Sequence, residues 1–142
     1  MKMTEAPRAV VGAFILNAKG ELLLGKSPKW GSRWCVPGGG INRGETMLAA
    51  AEREAMEEVG LRVRAEKVFG CGEAVFPKEF HKKAHIVYFD VLCRVKAKNA
   101  LPVADGKEIT ETVWILPTRA LRMNLVSFDR KSIKALLRLR GR

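Results

Sequence analysis

Apolar positions in the first forty residues predict short strands that are separated by turns. Residues 8–16 (RAVVGAFIL) and 21–26 (ELLLGK) are rich in apolar and β-branched side chains and are joined by NAKG, a pattern typical of a β-hairpin. Residues 34–37 (WCVP) predict a further short strand. The stretch that follows, GGGINRGE, is too rich in glycine for either regular element, so we expect a shaped loop there.

From Thr46 onward the pattern becomes helical. Leu48, Ala55 and Val59 recur at helical spacings, and Gly60 follows as a natural carboxy-terminal stop. Apolar stretches after this helix predict strands again, and an amphipathic helix closes the pattern. The predicted strands span residues 62–76, 84–95 and 110–117, and the predicted last helix spans 128–140.

This order of elements predicts an α/β (α+β) fold in one domain, residues 1–142. Strands interleaved with only two helices indicate a mixed sheet with a helix on each face. A chain of 142 residues with 47% hydrophobic and 29% charged residues can form a core and is too apolar for long disorder. The sequence has no run of about 18 apolar residues and no cleavage-like site near its start. We therefore expect a cytoplasmic protein without a membrane partner.

The three cysteines, Cys35, Cys71 and Cys93, are an odd number without close spacing. They fit neither a disulfide framework nor a zinc site. We expect reduced cysteines that pack among apolar neighbours.

Positive charge exceeds negative charge, because 26 Lys and Arg against 15 Asp and Glu give a formal net charge of +11. Such a field suits a polyanionic partner, whether nucleotide, nucleic acid or anionic membrane. The acids are nevertheless concentrated around the central helix, where Arg53 is the sole cation. Five of the 15 lie there, namely Glu45, Glu52, Glu54, Glu57 and Glu58.

Glu54, Glu57 and Glu58 fall on one side of the predicted helix, because successive helical residues are roughly 100° apart. Like charges at these spacings cost about 0.2–0.5 kcal/mol per pair, and the negative end of the helix dipole adds to that cost. A solvated acidic face is one interpretation. The other is a hard cation, Mg²⁺ with Mn²⁺ as a substitute, which takes oxygen ligands and converts repulsion into coordination.

Gly38, Gly39 and Gly40 lie just upstream of these acids. Three glycines after a proline are typical of a turn, and the stretch lacks the lysine of a nucleotide-triphosphatase phosphate loop. Without side chains, however, they let backbone groups approach a metal or a phosphate closely. We therefore predict that these glycines contact the substrate.

The spacing of these residues resembles the signature of the Nudix (MutT-like) hydrolase family. Gly39 is followed after five residues by Glu45, and after seven more by REAMEEVGL, which starts at Arg53. Seven fixed Gly, Glu and Arg positions would coincide by chance on the order of once in 10⁸ or 10⁹ windows. The resemblance implies the Nudix α/β/α sandwich and hydrolysis of a nucleoside diphosphate linked to another moiety, by water attack at phosphorus with one to three divalent cations.

The resemblance also implies roles for individual residues. The metal-binding carboxylates are Glu54, Glu57 and Glu58, and the Gly38 carbonyl resembles a backbone ligand that some members use. Arg53 and Glu45 resemble the groups that orient these ligands. The metal neutralises the pyrophosphate and lowers the pKa of a bound water. A homodimer is expected only at the level of the family.

A general base is also required, and family members take it from the signature helix or from a loop. Glu108, six residues before Trp114, resembles in its spacing a loop glutamate that approaches the metals in MutT-type members. A plain surface charge is the alternative for Glu108. Glu111 is the other candidate base.

Pro77 and Asp129 give opposite indications of the substrate. Pro77 stands sixteen residues beyond Leu61 and resembles the marker of the ADP-ribose pyrophosphatase subgroup, although a turn between strands would also require it. Asp129 lies near the position where MutT-type nucleotide sanitisers keep an Asn or Asp for the base. The sequence SFDRKSI favours a helix N-cap for Asp129 instead. ADP-ribose or a nucleotide sugar leads, and a (d)NTP is the competitor.

Aromatic and basic residues add weaker candidates. Trp30 and Trp34 are candidates for stacking a base, with packing as the alternative, and we predict Trp34 in the substrate site. His81 and His85 have metal-pair spacing only on a helix, whereas their segment predicts a strand, so we reject that site. Residues 119–142 carry eight basic residues and one acid, which favours a solvated basic face. The alternative of another class is an RNA-binding or processing module that uses this surface.

Overall fold

The computed structural model describes residues 6–140, and these form seven strands and three helices. The strands are β1 (Arg8–Leu16), β2 (Leu22–Ser27), β3 (Arg33–Cys35), β4 (Gly38–Gly40), β5 (Val63–Val75), β6 (His85–Val95) and β7 (Glu111–Ile115). The helices are α1 (Met47–Val59), α2 (Pro117–Ala120) and α3 (Ser127–Arg140). Within residues 6–140, none of the helices has both the length and the apolarity needed to cross a bilayer.

All seven strands belong to one mixed sheet that branches at β1. Along its whole length β1 pairs in parallel with β6, and β6 pairs antiparallel with β5. The other edge of β1 pairs with β4 near its start and with β2 at Leu16. In turn, β2 lies between β3 and β7. The mixed sheet predicted from the sequence is confirmed.

The side chains of β1 point alternately to the two faces of the sheet and contribute to a separate apolar core on each face. Val11, Ala13 and Ile15 pack in the core that includes α1, whereas Phe14 and Leu16 pack in the core that includes α3. One apolar run serves both layers because successive side chains of a strand point to opposite faces. As predicted, a helix covers each face.

The central helix begins and ends where local sequence signals place it. Thr46 Oγ1 accepts a hydrogen bond from the Ala49 N–H at 3.1 Å. Gly60, at a φ of 64°, terminates the helix in the left-handed conformation that costs glycine little. Ala51 and Ala55 are fully buried, and such small side chains let the helix approach the sheet closely. The carboxylates of the same helix are thereby carried to the sheet edge.

Two local predictions are corrected by the structure, and one element was not predicted. Gly38–Gly40 form a strand rather than a loop, because pairing with β1 overrides the low strand propensity of glycine. A Cβ at Gly38 would lie 2.2 Å from the Val11 carbonyl oxygen, so only glycine fits this pairing. The short helix α2 was not predicted. Cys71 is exposed, whereas Cys35 and Cys93 are buried as expected.

Candidate active site

A cleft of about 1060 Å³ opens beside α1, along the amino-terminal halves of β1 and β6. Its acidic end is lined by carboxylates of α1 and by the glycines of β4. Its aromatic end is lined by Trp30, Tyr88 and Phe128. The arrangement combines carboxylates with apolar rings in one concave surface, which is typical of a small-molecule site.

Arg53 organises the acidic end. Its Nε and Nη2 donate to the two carboxylate oxygens of Glu45 at 2.7 and 2.9 Å, a bidentate pair. Its Nη1 donates to Glu54 at 2.9 Å and to Glu57 at 3.2 Å, and Nη2 also donates to the Gly40 carbonyl oxygen at 2.9 Å. Hydrogen bonding to Arg53 lowers the pKa of Glu45 to about 2 and raises the pKa of Arg53 above its usual value. One cation therefore fixes three carboxylates against the glycine strand.

Glu54 and Glu58 are buried, with exposed fractions of 8% and 6%. Glu58 accepts a hydrogen bond from the Gly38 N–H at 3.0 Å. Burial above all, and then the nearby charges of Glu54 and Glu108, raises the pKa of Glu58 to about 8, against the opposing effect of that hydrogen bond. Negative charge at this point therefore exceeds the positive charge that the protein supplies.

The donor groups of the acidic end fit a hard divalent cation, because carboxylate oxygens are the ligands that Mg²⁺ prefers. Gly39 leaves room beside them, since a Cβ there would lie 2.6 Å from Glu54 Oε1. Among residues 6–140, no three acidic, histidine or cysteine side chains already converge on one point. Glu57 is 56% exposed and is paired with Arg53. A third carboxylate ligand therefore requires Glu57 to rotate, and its exposure permits that.

A tightly bonded turn brings Glu108 to the same end. Asp105 Oδ1 accepts the backbone N–H groups of residues 107–109 at 2.9–3.0 Å. The Asp105 N–H donates to the Glu58 carbonyl oxygen at 2.9 Å, which ties the turn to α1. The Glu108 carboxylate pairs with Lys29 Nζ at 2.6 Å. Because both partners line the cleft, an acid and its counter-cation face the α1 carboxylates.

Two buried carboxyl groups lie at the aromatic end. The rings of Tyr88 and Phe128 stack at 4.8 Å, and Phe128 meets Trp30 edge-on at 5.3 Å. Asp129 accepts a backbone N–H at 3.0 Å. Burial raises the pKa of Asp129 to about 8 and that of Asp90 to about 6. A protonated carboxyl group donates as well as accepts hydrogen bonds, so this end can bind a nucleobase edge in both ways.

Of two residues predicted at the substrate site, the structure places Asp129 in the cleft and Trp34 outside it. Because α3 begins at Ser127, Asp129 lies inside its first turn, and the N-cap interpretation is wrong; Asp129 lines the cleft instead. Trp34 packs against the core on the α3 side, with Lys26 Nζ 5.1 Å from its ring, and is not among the cleft-lining residues. Its neighbour Cys35 lines the cleft, since adjacent residues of β3 point to opposite faces.

Two other predicted residues, Pro77 and Glu111, lie outside the cleft. Pro77 starts a turn, with its carbonyl accepting the Phe80 N–H at 3.2 Å, which is the alternative that the sequence offered for it. Glu111 is 59% exposed and pairs with Lys26 at 3.6 Å. His85 is the first residue of β6. It therefore lies on a strand, as we expected when we rejected a helical histidine pair, and its side chain lines the cleft.

Four cleft-lining residues were not predicted from the sequence, namely Lys29, Tyr88, Asp90 and Asp105. A lone acid within the apolar stretch around Asp90 is a recognisable signal, because buried acids are rare without a role. Asp105 followed by glycine is a turn signal. For Lys29 and Tyr88 nothing in the local pattern indicates the cleft, since only the tertiary fold brings them there.

Comparisons with known proteins agree with this geometry. The sequence model of the NUDIX domain matches residues 6–136. A curated relative, an RNA pyrophosphohydrolase of Wolbachia pipientis subsp. Culex pipiens (strain wPip), is 42% identical over 53 residues, which is 37% of this chain. The match spans only 33% of that relative's length.

Solved structures share the fold at low sequence identity. The MutT protein from Methanosarcina mazei Go1 is 22% identical, with a TM-score of 0.77 over 99% of this chain and 100% of that chain. The E. coli ORF135 protein is 23% identical, with a TM-score of 0.72 over 94% and 90% of the two chains. A MutT NUDIX hydrolase from Burkholderia pseudomallei is 23% identical, with a TM-score of 0.71 over 92% and 98%.

Proposed function

Since this chain belongs to the NUDIX family, we propose that it is a Mg²⁺-dependent pyrophosphohydrolase of nucleoside diphosphates linked to another group. The observation that carries the proposal is the acidic end of the cleft. There Glu54 and Glu58 are buried beside the glycines of β4, and Arg53 fixes the surrounding carboxylates. A cytoplasmic location and a homodimer remain predictions from the sequence.

We assign the metal to Glu54, Glu57 and Glu58, with the Gly38 carbonyl as a further ligand. Bound there, Mg²⁺ would neutralise the charge of the diphosphate and of the leaving phosphate. Mn²⁺ would serve as a substitute because it accepts the same oxygen ligands. Arg53 and Glu45 keep the ligands in place through the hydrogen bonds between them.

We assign proton transfer to Glu108. It lines the cleft at the acidic end and is paired with Lys29, so its side chain can accept a proton from a water that attacks the diphosphate. The water oxygen forms a bond to phosphorus, its proton passes to Glu108, and the bridging P–O bond breaks with the electron pair leaving on the departing phosphate. The positive charge of Lys29 offsets the negative charge of the acidic groups around it.

The base of the nucleotide would lie at the aromatic end. Phe128 and Trp30 offer apolar faces, and Asp90 and Asp129 offer hydrogen bonds to the base edge. ADP-ribose and nucleotide sugars have a base that fits this end, but their marker, Pro77, is explained by a turn. A second candidate function, pyrophosphohydrolysis of (d)NTPs, is favoured by the position of Asp129 in the cleft.

A substrate panel tests the proposal. Purified protein would be incubated with ADP-ribose, GDP-mannose, normal and oxidised dNTPs and a 5′-triphosphorylated RNA, with Mg²⁺, Mn²⁺ or EDTA, in ¹⁸O-labelled water. Nucleoside monophosphate and sugar phosphate as products would establish the sugar-linked class, and monophosphate with free pyrophosphate would establish the (d)NTP class. Label in a product phosphate would establish attack at phosphorus. Folded protein that turns over no member of the panel would contradict the proposal.

A further inference from the structure

The cleft continues beyond the metal and base sites toward the amino-terminal ends of β1 and β6. From Asp90 the cleft-lining positions continue along β6 through Tyr88 to Ile86, about 13 Å at the rise of a strand. We call the far part of the cleft the basic arm and define it by Arg8, Phe76, Lys82, Lys83 and His85, which all line the cleft.

Phe76 has an unusual conformation for a large apolar residue. Its side chain is 51% exposed, so it does not contribute to a core. Its φ is 50°, in the left-handed region where a bulky side chain is a rare outlier. The Phe76 N–H donates to the Ala84 carbonyl oxygen at 2.9 Å, which holds the residue at the base of the loop. Neither packing nor backbone preference explains a phenylalanine at this position.

One lysine contacts this ring, and two further cations line the same part of the cleft. Lys83 Nζ lies 4.5 Å from the Phe76 ring centroid, a cation–π contact. Within residues 6–140, Arg8, Lys82 and Lys83 form no ion pair with a carboxylate, in contrast to Lys29 elsewhere in the cleft. The basic arm therefore has free positive charge beside an accessible aromatic face.

His85 adds an unsatisfied polar group. Its Nε2 is buried and has no hydrogen-bond partner among residues 6–140, and Glu73 Oε2 is 3.9 Å away. Buried polar atoms are normally paired, so this nitrogen has hydrogen-bonding capacity that the described residues leave unused. The His85 ring lies edge-on to Phe76 at 6.4 Å, which places this nitrogen and the ring in one small region.

We propose that the basic arm binds a second nucleotide unit of the substrate. Its base would stack on Phe76, and its phosphate would lie among Arg8, Lys82 and Lys83, because an exposed aromatic ring beside free cations is the combination that binds nucleotides irrespective of sequence. The inference rests on the proposed function, which puts the scissile phosphates at the acidic end. Two classes of molecule share the required chemistry, dinucleoside polyphosphates and the 5′ end of an RNA.

Binding of a dinucleotide without an anhydride tests the arm separately from catalysis. Dissociation constants for pApA and AMP would be measured in EDTA for wild type, Phe76→Ala, Phe76→Trp and the double variant Lys82→Ala/Lys83→Ala. Wild type is expected to bind pApA about tenfold more tightly than AMP, in the range of one base–aromatic stack. Phe76→Ala and the double lysine variant should lose most of this advantage, and Phe76→Trp should keep it. Phe76 is exposed, so its replacement does not threaten the fold.

Lys78 supplies the matched control. It is exposed on the same loop but does not line the cleft, so Lys78→Ala should bind pApA as wild type does. Equal binding of pApA and AMP by wild type, or an equal loss for both ligands in Phe76→Ala, would overturn the inference.

Turnover then distinguishes the two sources. With Mg²⁺, the ratio of kcat/KM for diadenosine tetraphosphate to that for ATP, and the same ratio for 5′-triphosphorylated diadenylate, would be compared between wild type and Phe76→Ala. A fall of about tenfold in either ratio supports the arm and names the source, and unchanged ratios for both would count against it. Intact pApA binding without any turnover would refute the proposed hydrolase while supporting the second-nucleotide site.

Discussion

Single side chains of the acidic end have two different roles. Arg53 is bonded to Glu45, Glu54 and Glu57 and so keeps the carboxylates of the helix apart and oriented. Glu58 is buried and takes its hydrogen bond from the Gly38 N–H rather than from a cation. Burial raises the pKa of Glu58 to about 8, because ionising a buried carboxyl group without a counter-ion costs free energy. A bound cation would offset that cost, so the position of Glu58 fits a role in binding a ligand cation.

Glu58→Gln should lower Mg²⁺-dependent turnover at least about a hundredfold while the fold is retained, because a neutral amide is a poor ligand for a hard cation. The amide oxygen can keep the hydrogen bond from Gly38, and removal of the buried charge should leave the Tm equal or higher. Turnover and thermal unfolding would both be measured. Glu111→Gln, outside the cleft, is the control and should remain within about twofold of wild type. Near-normal turnover of Glu58→Gln would exclude Glu58 from the metal site.

Asp129→Asn should reduce the pH dependence of the free energy of unfolding. Burial raises the pKa of Asp129 from 3.8 to about 8 in the folded protein. Between these values the folded state binds more protons than the unfolded state, so the contribution of this group to stability falls as pH rises through that range. Asparagine is neutral throughout and can keep the backbone hydrogen bond.

Urea unfolding would measure this difference. The variant should match wild type near pH 4 and exceed it at pH 8 by on the order of a few kcal/mol. Asp90→Asn is a useful comparison, because burial raises the pKa of Asp90 only to about 6, so its effect should be complete at lower pH. If the free energy of unfolding varied with pH in parallel for Asp129→Asn and wild type, the Asp129 carboxyl group would ionise as freely in the folded protein as in the unfolded chain.

The residues of the acidic end could be predicted from sequence because their spacing is local. Glu54 and Glu58 are one helical turn apart, so the helix alone puts them on one side. The pairing of Lys29 with Glu108 could not be predicted, because it joins segments that meet only in the folded sheet. The sequence placed Trp34 near the site. The face of the sheet to which its side chain points depends on the strand register, and a register shift of one residue reverses that face.

At the scale of elements, apolar periodicity and the stop at Gly60 predicted α1 to within one residue, because both signals act over a few turns of the helix. Strand β4 was missed for the opposite reason. Its three glycines have low strand propensity, and only pairing with β1 makes them a strand. The turn at residues 105–109 is an intermediate case, since its Asp-Gly pair signals a turn but not its attachment to α1.

Asp105 should control turnover through the turn that carries Glu108. Asp105→Ala removes the acceptor of three backbone N–H groups, so Glu108 should shift and kcat should fall about tenfold or more with little change in KM. Asp105→Asn keeps a side-chain oxygen in the same position and should restore kcat to within about threefold of wild type. Steady-state kinetics and a pH profile of kcat would be measured. If Asp105→Asn were as impaired as Asp105→Ala, the Asp105 carboxylate itself would be required rather than the turn.

At the scale of the whole molecule, charge is divided between the two faces of the sheet. The acidic end of the cleft lies with α1 on one face. The exposed side of α3 on the other face carries Lys131, Lys134 and Arg138, and these form no ion pair within residues 6–140. A positive outer surface attracts polyanions over long distances, independently of the chemistry in the cleft.

The variant Lys131→Glu/Lys134→Glu/Arg138→Glu tests whether this surface binds RNA. Each substitution replaces a positive charge with a negative one and so lowers the net charge by two, and the formal net charge of +11 falls to +5. If the surface contacts phosphates, RNA affinity should fall and the slope of log K against log salt should decrease by up to about three. Lys19→Glu/Lys96→Glu/Lys98→Glu has the same net charge and is the matched control. Equal RNA binding by the two variants between 50 and 200 mM salt would mean that the α3 face is only a solvated surface.

The loop between β5 and β6 carries Phe76, Lys82 and Lys83 of the basic arm. It is closed at its base by the hydrogen bond from the Phe76 N–H to the Ala84 carbonyl oxygen. Its tip can therefore change in length or composition while the strands on either side keep their register. The residues assigned to the reaction and the loop residues assigned to substrate selectivity therefore lie on separate segments of the chain. In evolution, descendants of such a protein can acquire new substrates by exchanging this one loop, without rebuilding the site that breaks the anhydride.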